Sequence, residues 1–503
     1  MPNKLALGRS EYGSTPQVAY VAANSFSLGS ALNRYRAGNN PGRGKIYIMR
    51  TLPAVALLLT ATILPAQNQK SADYGKDQLR FALVLSRHGI RPPLTAASAL
   101  DLHSSDPWPE WEVPLGYLTP HGAMAIHQMG AYMRLDFARN GLLPAVGCPN
   151  SNEIYLYADT DERNIESSRN TFAGLEPGCD PRPINTIIPV QGAKDALFSP
   201  IPSSFPPPLK DVSASDSQAA TGKDPVAFFS LTGNPELKEF AHILAPDPAH
   251  PAVKTILNDP KPLSAASSMV EDVLLEYVDD KPMSEVGWGR VDERMLRRLI
   301  PLHVKQFAST TRTPLSARTQ GSNLMAHILD TLEQAAQASH NPSAMPIPGA
   351  IGPVGTHLVY ISAHDSNLFN IGGLLNLHWN ADGRTDDTPP DSQIVFELWQ
   401  NPKSKEYTVH LRYRAQTIDQ LRSGQALTLA NPPVEVALTP SGCRAGAPCP
   451  FAVFDHAAHD LLDPAYIKPD LQPTQVVPRL RRRLADGPAK TRLRKNCPVS
   501  MVG

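Results

Sequence analysis

Residues 81–94 read FALVLSRHGIRPPL, an apolar run that ends in two arginines and a histidine. The run through Leu83 to Ser86 predicts a buried β-strand. Arg87, His88 and Arg91 follow within five residues, and like charges this close together repel each other and lose hydration on burial. An anion relieves both penalties, and the planar guanidinium group of arginine matches the oxygens of a phosphoryl group. The stretch therefore predicts a phosphoryl site at the end of a strand.

Two later segments have the same plan, an apolar strand followed by charged residues and a helix. They read EIYLYADTDERNIESSRNTFAGL (residues 153–175) and THLVYISAHDSNLFNIGGLLNL (residues 356–377). The side chains directly after their strands are Asp159 and Arg163 in the first and His364 and Asp365 in the second. Strands that alternate with helices indicate an α/β domain, and ligands of such sheets bind at the carboxyl ends of the strands. We therefore expect the three segments to converge on one pocket.

The rest of the chain predicts an α/β domain interrupted by a helical insertion. A helix is predicted from the N-cap Thr119 to Gly141. Residues 180–260 are rich in loop-forming Pro and Ser, whereas SSMVEDVLLEYVDD and VDERMLRRLIPLHVKQFA have helical spacing of apolar residues. The alternating segments SQIVFELWQ and YTVHLRYR predict an antiparallel sheet edge. The predicted organisation is an α/β domain over residues 75–180 and 301–470, with a smaller, mainly helical domain at 181–300.

The segment MRTLPAVALLLTATILPAQ, which starts at Met49, indicates export. A basic residue, a short apolar run and small closing residues are typical of a signal peptide. We therefore expect a signal peptide at residues 49–66 and a non-native upstream extension at 1–48. The alternative is a membrane anchor, but the run is short for a bilayer and contains two prolines. The basic tail over residues 471–503 is expected to be disordered.

Composition narrows the function further. The formal net charge is zero, which argues against a general nucleic-acid-binding protein. The count of 50 prolines indicates many long loops, on which binding sites are often built. Two local disulfides among the five cysteines would suit an oxidising compartment, with Cys497 left over. Spacing alone leaves the pairings open.

The sequence contains neither a GxxxxGK[ST] loop nor an HExxH motif, so the corresponding nucleotide and zinc sites are not expected. The segment DHAAHD (residues 455–460) has helical metal-ligand spacing but lacks further partners, and we interpret it as a polar helix face. No metal and no cofactor are expected. The nucleophile must then be a side chain.

His88 is the candidate nucleophile. A neutral imidazole nitrogen can attack phosphorus and form phosphohistidine, which splits hydrolysis into two easier steps. The arginines would neutralise the phosphoryl oxygens, while Asp365 would protonate the leaving alkoxide and then activate water. Gly89 would let the main chain approach the anion. A lone histidine or arginine is often structural, but that interpretation is hard to extend to the whole cluster RHGIR.

The motif RHGIRPP resembles the RHGxRxP signature of the histidine acid phosphatases, and AHDSN resembles the second, His-Asp signature of that family. The segments YLTPHGAMAIHQMG, ADTDERNIESSRNTFAGLEPGC, SSMVEDVLL, GWGRV and TPPDSQIVFELW resemble the branch of bacterial periplasmic phytases and acid phosphatases. The resemblance covers roughly residues 80–455 and is thin between about 180 and 260. Mutase-like members of the wider superfamily usually have a glutamate directly after RHG, whereas this chain has Ile90 there.

This resemblance implies an α/β domain with a smaller α domain and a substrate cleft between them. Together with the signal peptide, it leads us to expect a periplasmic or secreted enzyme that acts on a small-molecule phosphomonoester and is free of the membrane after signal cleavage. We also expect a monomer without a cofactor. The implied disulfides are Cys148–Cys179 and Cys443–Cys449. The implied roles are nucleophile for His88, proton donor for Asp365, phosphate binding for Arg87, Arg91, Arg163 and His364, and substrate contact for Asp159 and Asp272.

Departures from the family pattern affect the expected substrate. Close bacterial phytases carry a lysine shortly after RHGxRxP, where this chain has Leu94 and Thr95. A further arginine of the branch is replaced by Gln320. Because phytate carries six phosphates, each lost cation weakens its binding. We therefore expect an acid phosphatase acting on phytate or sugar phosphates. The alternatives are a glucose-1-phosphatase-like enzyme with little phytase activity and an exported phosphate-ester-binding protein without catalysis.

Overall fold

The computed structural model describes residues 77–187, 194–199, 235–252, 262–341, 343–468 and 474–476, all within one compact unit. The expected upstream extension, the signal peptide, Cys497 and nearly all of the basic tail lie outside the described residues. Within these ranges, no helix combines the length and the apolar character that crossing a bilayer requires.

A mixed sheet of nine strands forms the centre of the described structure. Its parallel part contains β1 (Gln78–Arg87), β4 (Leu358–Ala363), β2 (Ile154–Ala158) and β3 (Ile184–Thr186), in that spatial order. Antiparallel strands flank it: β7 (Gln393–Gln400), β8 (Tyr407–Ala415), β9 (Val434–Leu438) and β10 (Cys449–Pro450) on the β1 side, and β11 (Thr474–Val476) beside β3. A separate hairpin joins β5 (Asn380–Ala381) to β6 (Arg384–Thr385). The predicted α/β class is confirmed.

The prediction that SQIVFELWQ forms part of a sheet edge is wrong. β7 lies inside the sheet between β1 and β8, and nearly all of its residues are buried. The charged side chain of this strand is buried in an ionic network: Glu397 pairs with Arg412, which also pairs with Asp136. The alternation of polar and apolar residues in β7 had indicated a face exposed to solvent. In the structure, that face carries a buried ionic network instead.

Helices cover both faces of the sheet. α2 (Pro120–Arg139) and α3 (Glu162–Leu175) lie on one face, and α7 (Pro314–His340) and α8 (Asp365–Leu374) lie on the other. Thr119 caps α2 as predicted, since its side chain accepts from the N–H of Gly122. α2 and α3 cross at two glycines: a Cβ on Gly130 would lie 2.1 Å from Thr171 O, and one on Gly174 would lie 2.0 Å from His127 O. Only glycine permits this approach, which packs α2 and α3 closely against each other.

A second hydrophobic core lies in the mainly helical part. It is formed by α4 (Pro235–Leu244), α5 (Pro262–Val278), α6 (Glu293–Thr310) and α9 (Ile418–Ser423). The remaining described helices of the α type are α1 (Ala97–Leu100) and α10 (Phe451–His459). Because α6 continues through residue 300, we propose that the helical domain ends after Thr310.

Both disulfides implied by the resemblance are present. Cys148–Cys179 has a Cα–Cα distance of 5.8 Å, and Cys443–Cys449 one of 5.5 Å. The segment DHAAHD lies on α10 and at its end, where His456 pairs with Asp460 and His459 with Asp455. These pairs run along an exposed helix face, in agreement with a structural role.

Candidate active site

The three predicted strand ends meet because β1, β4 and β2 are neighbouring parallel strands. Arg87 lies opposite Ala363, and Ala158 lies opposite Ser362, so the residues that follow emerge at one edge. Main-chain hydrogen bonds continue past the strands, from His88 N to Ala363 O (2.9 Å) and from Asp159 N to Ser362 O (3.1 Å). The edge carries Arg87, His88, Asp159, His364 and Asp365, with Arg91 and Arg163 beside them.

His88 has the hydrogen bonding of a neutral imidazole, and among the described residues no hydrogen-bond partner is found for its Nε2. Its Nδ1 lies 2.8 Å from the carbonyl oxygen of Gly89. A carbonyl only accepts, so Nδ1 carries the hydrogen and Nε2 keeps its lone pair. Burial lowers the pKa of His88 well below its usual value, and the charges of Arg163 and Arg87 lower it further. The ring therefore stays unprotonated, as a nucleophile requires.

Three guanidinium groups surround this imidazole. Arg87 donates to Thr388 O at 2.5 Å, and it lies 3.2 Å from Asp365 Oδ2. Arg87 and Arg91 are both almost fully buried. Arg163, on α3, donates to Asp161 at 2.7 Å. Buried cations this close together destabilise the folded state unless negative charge lies beside them. The protein or a bound anion must supply that charge.

His364 is oriented by a carboxylate. Its Nε2 lies 2.7 Å from Asp159 Oδ2, and its Nδ1 lies 3.4 Å from Arg163 Nη2. Because arginine only donates, Nδ1 is the acceptor and Nε2–H donates to Asp159. The two imidazole rings of His88 and His364 lie 5.5 Å apart, edge to face. Asp159 thus contacts His364, a partner that the sequence did not indicate.

Asp365 is the first residue of α8, where the helix dipole favours negative charge. Its Oδ1 accepts from Ser366 N at 2.6 Å, while Oδ2 faces Arg87. Asn367 holds this turn, accepting from His364 N at 3.0 Å and donating to Phe198 O at 2.8 Å. The Asp365 carboxyl group is partly open to solvent, with 15% of its side chain exposed.

Glu271 is a site residue that the sequence analysis missed. It lies on α5, where it pairs with Arg87 and, at 3.2 Å, with Arg91. Burial opposes its ionisation, but Arg87 and Arg91 hold the pKa of Glu271 well below its usual range. The neighbouring Asp272 has no arginine partner within hydrogen-bond distance among the described residues. Adjacent helix positions point about 100° apart, so only the rotation of α5 selects Glu271 over Asp272.

His303 was also missed. It lies on α6, with its Nδ1 at 3.1 Å from Ser267 Oγ. Its Nε2 makes no hydrogen bond within the described part of the chain. The potential ligand atoms of His303, Glu271 and Asp365 all lie within 4.8 Å of one another. A single histidine in an amphipathic helix gives no functional signal in the sequence, so only folding reveals its position.

Gly89 has a different role from the one expected. A Cβ there would lie 2.7 Å from Leu118 Cδ1 and 2.8 Å from Ile126 Cδ1. The missing side chain therefore makes room for apolar packing. The Gly89 N–H is already used, donating to Ser167 Oγ at 3.0 Å.

Two groups in the pocket have the composition of metal ligands: Asp159, Asp161 and His364, and Glu271, His303 and Asp365. Both groups are next to arginines, whose positive charge opposes a metal cation. Hydrogen bonds to His364 and ion pairs to arginine already use Asp159 and Glu271. The absence of a metal requirement stays a prediction.

Replacing Glu271 with Gln is expected to destabilise the ligand-free protein and to strengthen its binding of inorganic phosphate. The change leaves Arg87 and Arg91 without their carboxylate, and breaking a buried ion pair costs about 3–5 kcal/mol. Phosphate restores the negative charge, so the variant should gain more thermal stability from phosphate than the wild type does. Thermal unfolding with and without phosphate measures both effects.

Asp272→Asn is the matched control, one residue along the same helix. Burial raises the pKa of Asp272 to about 8, so at acidic pH the side chain is a neutral acid that the amide imitates. This variant should respond to phosphate as the wild type does. Equal responses in both variants would show that Glu271 does not neutralise the arginines.

Sequence comparisons identify the family of this chain. The profile of the histidine phosphatase superfamily (branch 2) matches residues 78–414. Phytase AppA of Escherichia coli K12 is 30% identical over 440 residues, which cover 82% of this chain and 98% of that protein. A glucose-1-phosphatase of Salmonella typhimurium is 27% identical over 435 residues, covering 81% of this chain and 98% of that protein.

Solved structures of similar sequence also match most of this chain. A Hafnia alvei phytase in complex with myo-inositol hexakis sulphate is 29% identical, with a TM-score of 0.68, covering 78% of this chain and 99% of that chain. A Citrobacter braakii phytase has the same TM-score of 0.68 at 27% identity and covers 78% of this chain and 99% of that chain. The superfamily profile spans well over half of the sequence, and the protein is a hydrolase of the histidine acid phosphatase family, in branch 2 of the histidine phosphatase superfamily.

Proposed function

We propose that this hydrolase is an exported acid phosphatase that cleaves phosphate esters such as phytate or sugar phosphates through a phosphohistidine intermediate. The supporting observation is the buried His88, whose Nδ1–H donates to Gly89 O and leaves the Nε2 lone pair available, with the charges of three arginines acting on it and Asp365 3.2 Å from one of them, Arg87. This combination supplies a nucleophile, charge neutralisation and a proton donor in one pocket. A site for binding alone would not need an imidazole held in its nucleophilic tautomer.

The reaction has two steps. In the first, His88 Nε2 attacks phosphorus, the ester P–O bond breaks, and the leaving alkoxide takes the proton of Asp365. In the second, water attacks the phosphohistidine, gives a proton to the Asp365 carboxylate, and the P–N bond breaks. His88 is released as a neutral imidazole and phosphate as the product.

The arginines and His364 bind the phosphoryl oxygens during both steps. Arg87 and Arg91 start from an ion pair with Glu271, so incoming phosphate competes with that carboxylate for the same donors. Because Nε2–H of His364 donates to Asp159, His364 can donate to a phosphoryl oxygen only through Nδ1, and only if Nδ1 also carries a proton. Asp159 acts on the substrate through His364.

The relatives leave two substrate classes open, since one is named a phytase and another a glucose-1-phosphatase. Leu94 is 58% exposed, and a Cβ on Gly116 would lie 2.9 Å from its Cδ2 and 3.4 Å from Arg163 Nη1. An apolar side chain therefore lies close to Arg163. Leu94 itself gives a distal phosphate no charge to pair with, which favours esters with one phosphate and supports the glucose-1-phosphatase-like alternative.

Export and a periplasmic or secreted location are part of the proposal. The two disulfides support them, because such bonds persist in oxidising compartments. The apolar run after Met49 is typical of a signal peptide.

Turnover of p-nitrophenyl phosphate in the presence of a chelator tests the proposed function. Release of p-nitrophenol separates an enzyme from a phosphate-ester-binding protein, and parallel assays on phytate and glucose 1-phosphate separate the two substrate classes. Ligand binding without turnover would refute the catalytic proposal. Activity that disappears with the chelator would refute the metal-free mechanism.

Thr95→Lys is expected to raise kcat/KM on phytate more than on p-nitrophenyl phosphate. Thr95 is exposed beside Leu94, and a lysine there can meet a distal phosphate that only the larger substrate has. The ratio of the two kcat/KM values is the measured quantity. Val146→Lys, at a position that is 88% exposed and remote in sequence, is the control for net charge. An equal change on both substrates would count against a distal subsite at Thr95.

A further inference from the structure

The turn before β7 holds the main chain of His88. Asp391 N donates to His88 O at 3.1 Å, and Ser392 O accepts from Arg87 N at 2.8 Å. On the other side, His88 N donates to Ala363 O at 2.9 Å. The nucleophile is therefore fixed between two segments, and Asp391 supplies one of the two direct main-chain contacts.

Asp391 has an uncommon backbone and an uncommon environment. Its φ is 64°, in the left-handed region that side-chain-bearing residues adopt only at an energetic cost. Its side chain is fully buried. Gln416 Nε2 donates to Asp391 Oδ2 at 3.1 Å and to Ala125 O of α2 at 3.1 Å. A single amide thus joins the carboxyl group of this turn to the helix that packs beside the pocket.

We propose that Asp391 is a positioning residue for the nucleophile. The hydrogen bond between its side chain and Gln416 fixes the turn, and the main-chain N–H of the same residue holds His88. The inference rests on the proposed role of His88. The alternative is a purely structural turn that affects folding but not the phosphoryl-transfer step. The two differ in which kinetic constant changes when the side chain is removed.

The surroundings define the protonation state of Asp391. Gln416, Gln393, Arg414 and Tyr360 are the polar groups that act on its carboxyl group. The guanidinium of Arg414 bonds to Asp136 and Glu435, which leaves Asp391 without an ion pair of its own in the described structure. Burial raises the pKa of Asp391 well above its usual value, although the hydrogen bond from Gln416, the charge of Arg414 and Gln393 act in the opposite direction. The side chain is therefore a neutral acid at acidic pH.

Three substitutions at Asp391 separate the effect of the side-chain hydrogen bond from that of the left-handed backbone. Asp391→Asn keeps a neutral acceptor for Gln416 and should retain kcat within about threefold. Asp391→Gly keeps the N–H and relieves the left-handed backbone but loses the bond to Gln416. Asp391→Ala loses the bond and keeps the strain. A small displacement of a nucleophile can cost up to about 10²-fold, so kcat should fall about tenfold or more in the Gly and Ala variants, with KM within about twofold.

Rapid-quench measurement of phosphoenzyme formation gives the decisive readout. The rate should fall in Asp391→Gly and recover in Asp391→Asn. Asp280→Ala is the control, because Asp280 has a similar φ of 57° at the end of α5; it should lose stability without losing this rate. A normal rate in Asp391→Gly would overturn the proposal. Failure to trap any phosphoenzyme in the wild type would instead overturn the proposed function.

A pH series tests the neutral carboxyl group independently of activity. A carboxyl group whose pKa rises on folding stabilises the folded state in acid and loses this contribution as the pH increases from its unfolded towards its folded pKa. Asn cannot ionise, so Asp391→Asn should match the thermal midpoint of the wild type below about pH 4 and exceed it near neutrality. A deficit for the Asn variant that is constant with pH, or a kcat as low as that of Asp391→Ala, would overturn the neutral-acceptor role.

Discussion

His88→Ala is expected to abolish turnover on every phosphomonoester, with a loss on the order of 10⁴–10⁶-fold, as when other catalytic nucleophiles are removed. The substitution removes the Nε2 lone pair that the Nδ1 bond to Gly89 keeps available. The surrounding arginines can still bind phosphate, but they donate only and cannot attack phosphorus. Hydrolysis of p-nitrophenyl phosphate measures the loss, and acid-quench labelling should trap a phosphoprotein in the wild type and none in the variant.

His303→Ala is the matched control, since it removes another buried imidazole near Asp365. This variant should still form the labelled intermediate. Thermal stabilisation by phosphate should persist in His88→Ala, which would show that the pocket remains folded and able to bind. Full activity in His88→Ala, or label in that variant, would assign the nucleophile to another residue.

Asp365→Asn should reduce kcat far more on glucose 1-phosphate or phytate than on p-nitrophenyl phosphate. An alkoxide leaves only with a proton, whereas p-nitrophenolate hardly needs one, and general acid catalysis is typically worth about 10²–10⁴-fold. The amide keeps the size of the side chain and can still accept from Ser366 N. The loss therefore reports proton donation rather than a collapsed turn.

Phosphoenzyme formation must be timed separately, because slow hydrolysis of the intermediate would slow all substrates together. Rapid quench isolates the first step. If that step slows equally for good and poor leaving groups, Asp365 is not the general acid. Asp272 would then be the next candidate, since burial raises its pKa to about 8 and keeps it protonated. Glu271 is a poor candidate, because its arginine partners keep it ionised.

Local sequence was sufficient to predict which residues stand at strand ends. Apolar runs ending in Arg87, Asp159 and His364 located three strands, and the rule for parallel sheets predicted their convergence. The choice between Glu271 and Asp272 depends on the rotation of one helix relative to the sheet, which packing decides. The interior position of β7 likewise depends on pairing between residues far apart in the chain, which local alternation does not encode.

The position of β1 has a consequence for the newly synthesised chain. This strand is among the first described residues, yet both of its neighbours come late: β4 ends at Ala363 and β7 at Gln400. A ribosome must therefore make about four-fifths of the polypeptide before β1 can have partner strands on both sides, and such distant pairing is slow to form. We therefore expect incomplete chains that end before β7 to be catalytically inactive.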